Sequence, residues 1–543
     1  MRFDLSANGF ADTDVRADAW AVIGADRALR WHELSEQAHA WASLARAHGF
    51  AADVPVIIRG HKEAGFFVAM VGALLLGAPF VPVDTIYPDE RMQRIASTLG
   101  AQMYFDAHRG RFVSVSGQGA WIEFDAVEGE EGSISESESA STSASGSGST
   151  FASTSMASPS ASGSTSISTA STAPTPPALH EKNLAYVLFT SGTTGEPKGV
   201  QIGRESVAAL ADWMVADFAL GDAPVFLNQA PFSFDLSMYE VFGTLALGGT
   251  VVLASRALTA QGAAFLTTLA RHGMTTWVST PSFAQQQLLN PQFSQDGLPA
   301  LRTFLFCGEV LPVALARQLR QRFPSARIIN TYGPTEATVA TTWIVVDDAV
   351  LAHHARLPIG HAKRDAEVFV DAGELCIAGA HVMRGYLNRE DLNAARMFTH
   401  NGQRAFRTGD LGAVDGDGLL FCHGRIDDQI KMGGYRIELM EIDAALRALP
   451  GAASAAAVPL RRPDGSVARI VAFVATGNDD GRLPDALHDW KTLLAARLPS
   501  YMIPSELLAC RSLPVSVNFK IDRVQLAQDY RDVHFKAQRQ HNA

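Results

Sequence analysis

Residues Tyr186 to Val200 read YVLFTSGTTGEPKGV. An apolar run passes directly into a loop with three glycines, four hydroxyl residues and one lysine. Glycine lets a backbone approach an anion closely and bare its N–H groups, as Gly192 would here. Thr190, Ser191, Thr193 and Thr194 add hydroxyl donors, and Lys198 adds a cation. The spacing is not GxxxxGK[ST], so a P-loop fold is not implied. The stretch reads as a phosphate-binding loop hung on a strand.

Outward from this loop, strands and helices alternate. VPVIIRG (54–60) and PFVPVD (79–84) read as strands on either side of a helix over 66–76. Downstream come a helical run over 205–218 and four strand candidates: TVVLAS, TTWVST, RTFLFCG and ARIINTYG. This alternation predicts an α/β fold with partly parallel sheets. Residues 65–83 carry no charge and approach bilayer length. Gly77, Pro79 and Pro82 break the stretch into a helix and a short buried strand, so no membrane span is expected. Residues 132–177 are mainly Ser, Thr, Ala and Gly without hydrophobic periodicity, which predicts a disordered insertion.

The 543 residues exceed one ordinary core and imply at least two domains. A formal net charge of −11 argues against nucleic-acid binding, which rewards clustered Lys and Arg. Cys307, Cys376, Cys422 and Cys510 form no CxxC pair, so neither a zinc site nor a disulfide framework is expected. No apolar core follows the N-terminal MRFDLSANGFADTD, and a cytoplasmic location is expected.

Five further motifs follow the loop: NTYGPTEAT (330–338), GELCIAG (373–379), FRTGDLG (406–412), GRIDDQIKMGGYRIE (424–438) and KIDR (520–523). In this order, and over nearly the whole chain outside the Ser-rich tract, they resemble the adenylate-forming superfamily. That superfamily includes acyl-CoA synthetases, luciferases and amino-acid adenylation domains. The resemblance implies a large N-terminal multi-sheet adenylation core (1–424) and a smaller mobile α+β C-terminal domain (425–543) that carries the catalytic lysine. It implies ATP and Mg²⁺ as cofactors and a carboxylate joined to the α-phosphate of ATP.

By the same resemblance, Tyr332 offers its face to adenine and Asn330 its edge contact, with Thr331, Gly333 and Pro334 also binding the nucleotide; Thr335, which reaches the α-phosphate, and Glu336, which holds the metal, count as catalytic. Asp410 accepts the ribose hydroxyls, while Cys422, His423, Gly424 and Arg425 border the nucleotide. Lys520 would stabilise charge in the transition state, and the domains would swivel at Asp427. Where the family usually has Asn-Gly-Lys, this chain has Asn518-Phe519-Lys520. Phenylalanine does not take the positive φ of glycine cheaply, so the loop is expected to differ in shape, and a non-catalytic nucleotide-binding homologue stays open as a reading.

Asp235, in PFSFDLS, matches the aspartate that pairs with the substrate's α-ammonium in amino-acid activators. TTWVSTPSF, TFLFCGEVLP and GHKE resemble the members that load D-alanine onto a carrier protein. In those members a cysteine, here Cys307, narrows the pocket, and Val339 would meet the substrate methyl. MYEVFGTLALGGT resembles peptide-synthetase adenylation domains instead, so glycine, L-alanine and serine stay open beside D-alanine. The chain ends at Ala543, soon after KIDR, so the expected acceptor is a separate phosphopantetheinyl carrier protein or coenzyme A. A monomeric enzyme is expected.

Overall fold

The computed structural model describes residues 16–115, 179–192, 196–452, 454–462, 465–475, 489–510, 512–514 and 521–541. The Ser-rich tract therefore lies outside the described residues. So do Thr193, Thr194 and Lys520 with its neighbours Asn518 and Phe519.

Three sheets build the larger part. A nine-stranded sheet contains Trp20–Ile23, Thr250–Leu253, Val225–Asn228, Thr276–Ser279, Thr303–Phe306 and Arg327–Tyr332 as consecutive parallel neighbours. TWVS and TFLF are buried at every position, as expected where both faces of a parallel sheet are covered. A seven-stranded sheet holds Phe80–Asp84 between Val56–Gly60 and Leu184–Thr190, all parallel. A five-stranded antiparallel sheet includes Glu374–Gly379, Gln403–Val414 and Leu420–Arg425.

The uncharged stretch resolves into the helix Ala64–Leu76 and the strand Phe80–Asp84. Among the described residues, no helix is long and apolar enough to cross a membrane. One element departs from the sequence reading. Leu184–Thr190 is followed by a second strand, Lys198–Gly203, which folds back antiparallel before the helix Arg204–Asp217. The two strands that flank the proposed phosphate loop thus pair as a β-hairpin. KGVQIG has only two β-branched residues and two glycines, too weak a local signal to mark a strand.

After Arg425 the pairing pattern changes. Gln429–Met432 and Tyr435–Glu438 form a separate hairpin, and Ser454–Arg461, Val467–Ala475 and Glu506–Cys510 form a three-stranded sheet. These strands and the helix Leu439–Arg447 share a core of Ile430, Ile437, Ile442, Leu446, Ile470 and Leu494. This smaller unit is pressed onto the larger one through charged pairs. Arg91 Nη1 meets Glu441 Oε1 at 2.5 Å, with side chains 1% and 2% exposed. Tyr435 stacks on Tyr501 at 3.8 Å between ring centres, and Phe234 meets Tyr435 edge-on at 4.8 Å.

Candidate active site

The parallel strands of the nine-stranded sheet end at a cleft, the usual place for ligands in α/β sheets. Strand Val225–Asn228 leads through 229–234 to a 3-10 turn at Asp235–Ser237. Strand Thr303–Phe306 delivers Cys307, and strand Arg327–Tyr332 runs through Gly333 and Pro334 into a second 3-10 turn, Thr335–Ala337. The cleft encloses about 770 Å³ of empty space, part of it open to solvent. Asp235, Cys307, Thr335, Val339, Asp410 and Arg425 line it, together with Lys431 and Arg436 from the 429–438 hairpin.

The backbone of this wall is tight. A Cβ on Gly333 would lie 2.4 Å from the Cα of Ala340, so only glycine fits. Thr338 and Val339 follow with φ of 52° and 71°, left-handed values that β-branched residues rarely adopt. Such strain persists where the surrounding structure over-determines it. Here the Thr338 hydroxyl donates to the His381 carbonyl at 2.7 Å. The Cys307 thiol points to the Val339 carbonyl at 3.6 Å. Burial pushes this thiol's pKa up, which suits a pocket wall and not a nucleophile.

Asp235 accepts a hydrogen bond from the Thr335 hydroxyl at 2.6 Å. Burial raises its pKa, against the opposing effects of that hydrogen bond, Lys431 and Arg436. Across the cleft the Tyr332 hydroxyl donates to Asp410 Oδ2 at 2.5 Å. Arg425 Nη1 reaches Asp410 Oδ1 at 3.2 Å, while its Nε and Nη2 donate to the two carboxylate oxygens of Asp427, each at 2.7 Å. Arg396 also reaches Asp427, at 3.4 Å. Asn330 Nδ2 donates to the Pro358 carbonyl at 2.9 Å, and the Thr331 hydroxyl to the Phe306 carbonyl at 2.8 Å. Cys422, in the strand Leu420–Arg425, is partly buried in the small cluster around Tyr332. His423 in the same strand is exposed, and Gly424 has φ 130°.

Gly192 and Glu196 lie close together: a Cβ on Gly192 would be 1.9 Å from the Glu196 carbonyl oxygen. The Thr190 hydroxyl is buried without a hydrogen-bond partner among the described residues. Ser191 and Lys198 both engage the hairpin. The Ser191 hydroxyl donates to the Arg436 carbonyl at 3.0 Å, and Lys198 Nζ donates to Glu438 Oε1 at 3.2 Å. Glu336 accepts from the Tyr386 hydroxyl at 2.6 Å and from Arg436 Nη1 at 2.5 Å. Burial alone would raise the Glu336 pKa, but Arg436 and Lys198 outweigh it and hold the carboxyl at about 2.

Of the residues singled out in the sequence, Asp235, Cys307, Tyr332, Thr335, Val339, Asp410 and Arg425 converge on this one region, with Ser191, Lys198 and Glu336 beside it. Sequence reasoning missed Lys431, Arg436, Glu438 and Tyr386. The first three lie inside GRIDDQIKMGGYRIE and carried a signal, namely charges in a motif already assigned to the site. Tyr386 carried none, because only the pairing of Gly385–Tyr386 with Lys198–Gly203 brings it there.

The AMP-binding enzyme family matches residues 10–387, and the chain belongs to that family. Among its curated relatives, the D-alanine–D-alanyl carrier protein ligase of Bacillus velezensis is 34% identical over 96% of this chain and 98% of its own length. The enzyme of the same name from Bacillus licheniformis is 33% identical over 94% of this chain and 96% of its own. Among solved structures, the Vibrio cholerae adenylation domain AlmE, in complex with glycyl-adenosine-5′-phosphate, aligns with TM-score 0.74 at 21% identity. It covers 96% of this chain and 97% of its own. The o-succinylbenzoate CoA synthetase of Bacillus subtilis aligns with TM-score 0.74 at 19% identity over 97% and 98%. At these identities the structural likeness speaks for the fold alone.

Proposed function

We propose that the chain activates D-alanine with ATP to D-alanyl-AMP. It then passes the D-alanyl group to the phosphopantetheine thiol of a separate carrier protein. The observation that carries this reading is Asp235, a carboxylate on the wall of a cleft that Cys307 and Val339 close off. A partly buried carboxylate favours a cationic partner, which an amino acid supplies as its α-ammonium. The full-length relatives at 33–34% identity bear the name of this activity and support the choice of D-alanine.

In the first step a substrate carboxylate oxygen attacks the α-phosphorus, the bond to the β-phosphate breaks, and pyrophosphate leaves. In the second a thiolate attacks the acyl carbon and AMP leaves. Tyr332 offers its face to adenine, and Asp410 accepts from the ribose with Arg425 beside it. Thr335 lies at the junction of amino acid and phosphate. The unpartnered Thr190 hydroxyl, with Ser191 and Lys198, suits the phosphates. Glu336 offers the hard oxygen that Mg²⁺ takes. Mg²⁺ when bound neutralises phosphate charge. Lys520 keeps its assignment as the transition-state cation by resemblance. We place the domain boundary between residues 424 and 425, with the hinge at Asp427. In the arrangement described here the hairpin closes the substrate cleft, which suits thiol transfer. We place the reaction in the cytoplasm, with a monomeric enzyme supplying D-alanine for teichoic acid or another envelope polymer.

ATP–pyrophosphate exchange with D-alanine, L-alanine, glycine and serine tests this reading. D-alanine should drive the fastest exchange. Exchange with L-alanine or glycine and none with D-alanine would overturn the substrate assignment. Cys307→Ala should lower the D/L preference by about tenfold, the scale of a methyl-sized pocket contact. An unaltered preference removes Cys307 from selectivity.

A further inference from the structure

The segment that presents Asp235 is held from outside the cleft. Lys62, in GHKE (60–63), stands two residues past the strand Val56–Gly60 and two before the helix Ala64–Leu76. Its main chain is fixed by the Ala25 amide, which donates to the Lys62 carbonyl at 3.0 Å. The residue is 1% exposed, a rare fate for a lysine without polar partners. Its Nζ donates to Asn228 Oδ1 and, at 2.6 Å, to the Ala230 carbonyl, and lies 4.7 Å from the Phe232 ring centre. One amine from the seven-stranded sheet thus touches three alternate residues of the chain that runs from the nine-stranded sheet to Asp235. The other face of the Asn228 amide is also taken. Its Nδ2 donates to Glu240 Oε1 at 3.1 Å, and Glu240 lies in the helix Met238–Leu247 that follows the Asp235–Ser237 turn. Asn228 and Glu240 are both 0% exposed. The bond between them ties the entry of the segment to its exit. A donor on one face and an acceptor on the other also fix which way the amide points. A buried amine and carboxyl cost more than apolar groups of the same size, so stability does not explain them. Neither Lys62 nor Glu240 borders the cleft, and the proposed chemistry does not call on them.

We infer that Lys62, Asn228 and Glu240 form a clasp that sets the position of Asp235, so that Lys62 and Glu240 are positioning residues for the substrate ammonium. This rests on the proposed pairing of Asp235 with that ammonium. The clasp acts through Asn228 and Ala230, so its loss shifts the carboxylate without removing it. Capture of the amino acid then suffers. Capture of the nucleotide does not, because Tyr332 and Asp410 stand on other strands. Burial pushes the Glu240 carboxyl up to about 8, so at neutral pH it accepts the Asn228 bond as an uncharged group. A glutamine at this place can do the same.

ATP–pyrophosphate exchange by the full chain tests the clasp. Lys62→Met and Glu240→Leu should each raise the KM for the amino acid about tenfold or more, with the KM for ATP unmoved. Glu240→Gln should return the wild-type value. In an Asp235→Asn background the same substitutions should cost nothing further, because their effect passes through Asp235. An equal loss in both backgrounds, or none in either, overturns the inference. If Lys62→Met does not fold, the contrast between Glu240→Leu and Glu240→Gln carries the same test. Hydrogen exchange gives a readout that needs no turnover. The Ser237 amide, which donates to the Phe234 carbonyl at 3.1 Å, should exchange faster in Lys62→Met and Glu240→Leu than in the unaltered chain. Unmoved protection there overturns the clasp whatever acid the chain activates. The two failures are thus separable. An unaltered chain that exchanges pyrophosphate with no acid sinks adenylation alone, and D-alanine exchange indifferent to both substitutions sinks this inference alone.

Discussion

Asp235→Asn is expected to lower kcat/KM for the amino acid by about 10²–10³-fold, the cost of removing one member of a desolvated charge pair. Asparagine can still accept the Thr335 hydroxyl hydrogen bond at the same place, so the 3-10 turn should survive. ATP binding, which draws on Tyr332, Asp410 and Lys198 in the proposed site, should change little. A pH profile sharpens the test. The ionised carboxylate captures the ammonium and the protonated form does not. Burial raises the Asp235 pKa, so kcat/KM should fall on acidification at a higher pH than an ordinary carboxylate would give. The asparagine variant should lack that limb. Equal kcat/KM in the two proteins, or an equal loss with a substrate lacking the ammonium, would sink the assignment of Asp235.

Arg91→Met should undo the docked arrangement of the smaller unit. Arg91 and Glu441 lie almost fully buried, with the Arg91 guanidinium 4.9 Å from the Tyr87 ring centre. Removing the arginine strands a buried glutamate, which costs about 3–5 kcal/mol. All of that cost falls on the docked state, because an undocked Glu441 returns to water. A bias of this size shifts the docked population by about 10²–10³-fold. Transfer of the acyl group to a phosphopantetheinyl carrier should therefore slow steeply in a single turnover, while ATP–pyrophosphate exchange is retained. The double variant Arg91→Met/Glu441→Leu removes both charges and should recover much of the transfer rate. Parallel losses in both half-reactions, unrepaired by the double variant, would mean that the pair serves folding and not docking.

The parts of this site that are legible in the sequence are those whose chemistry is local. Glycines, hydroxyls and Lys198 crowd one short loop, so the proposal of a phosphate site needs no knowledge of the fold. NTYGPTEAT likewise packs an aromatic, a hydroxyl and a carboxylate into one strand end and one turn. Asp235 is different. Nothing about a single aspartate before Leu-Ser separates it from a turn residue, and only resemblance marked it. Arg91 was hidden altogether, because DERMQR reads as the solvated face of an amphipathic helix until another unit covers it. Arg436 and Glu438 were visible as charges but not as partners, because Glu336 and Lys198 lie far away in the chain and meet them only through docking. Long-range pairing of this kind leaves no periodicity to read.

The left-handed pair Thr338–Val339 bears on how this cleft could be reshaped. The wall opposite Asp235 is placed by main-chain torsions that the residue types themselves resist, locked by Gly333 against Ala340 and by the bond from Thr338 to His381. Selectivity is to that extent written in the backbone. Exchanging side chains along the wall trims or fills the space but leaves its contour in place. Widening the cleft for bulkier acids calls for relaxing the torsions themselves. Among the substitutions available, that makes glycine at 338 or 339 the instrument of a new specificity, whatever it does to stability.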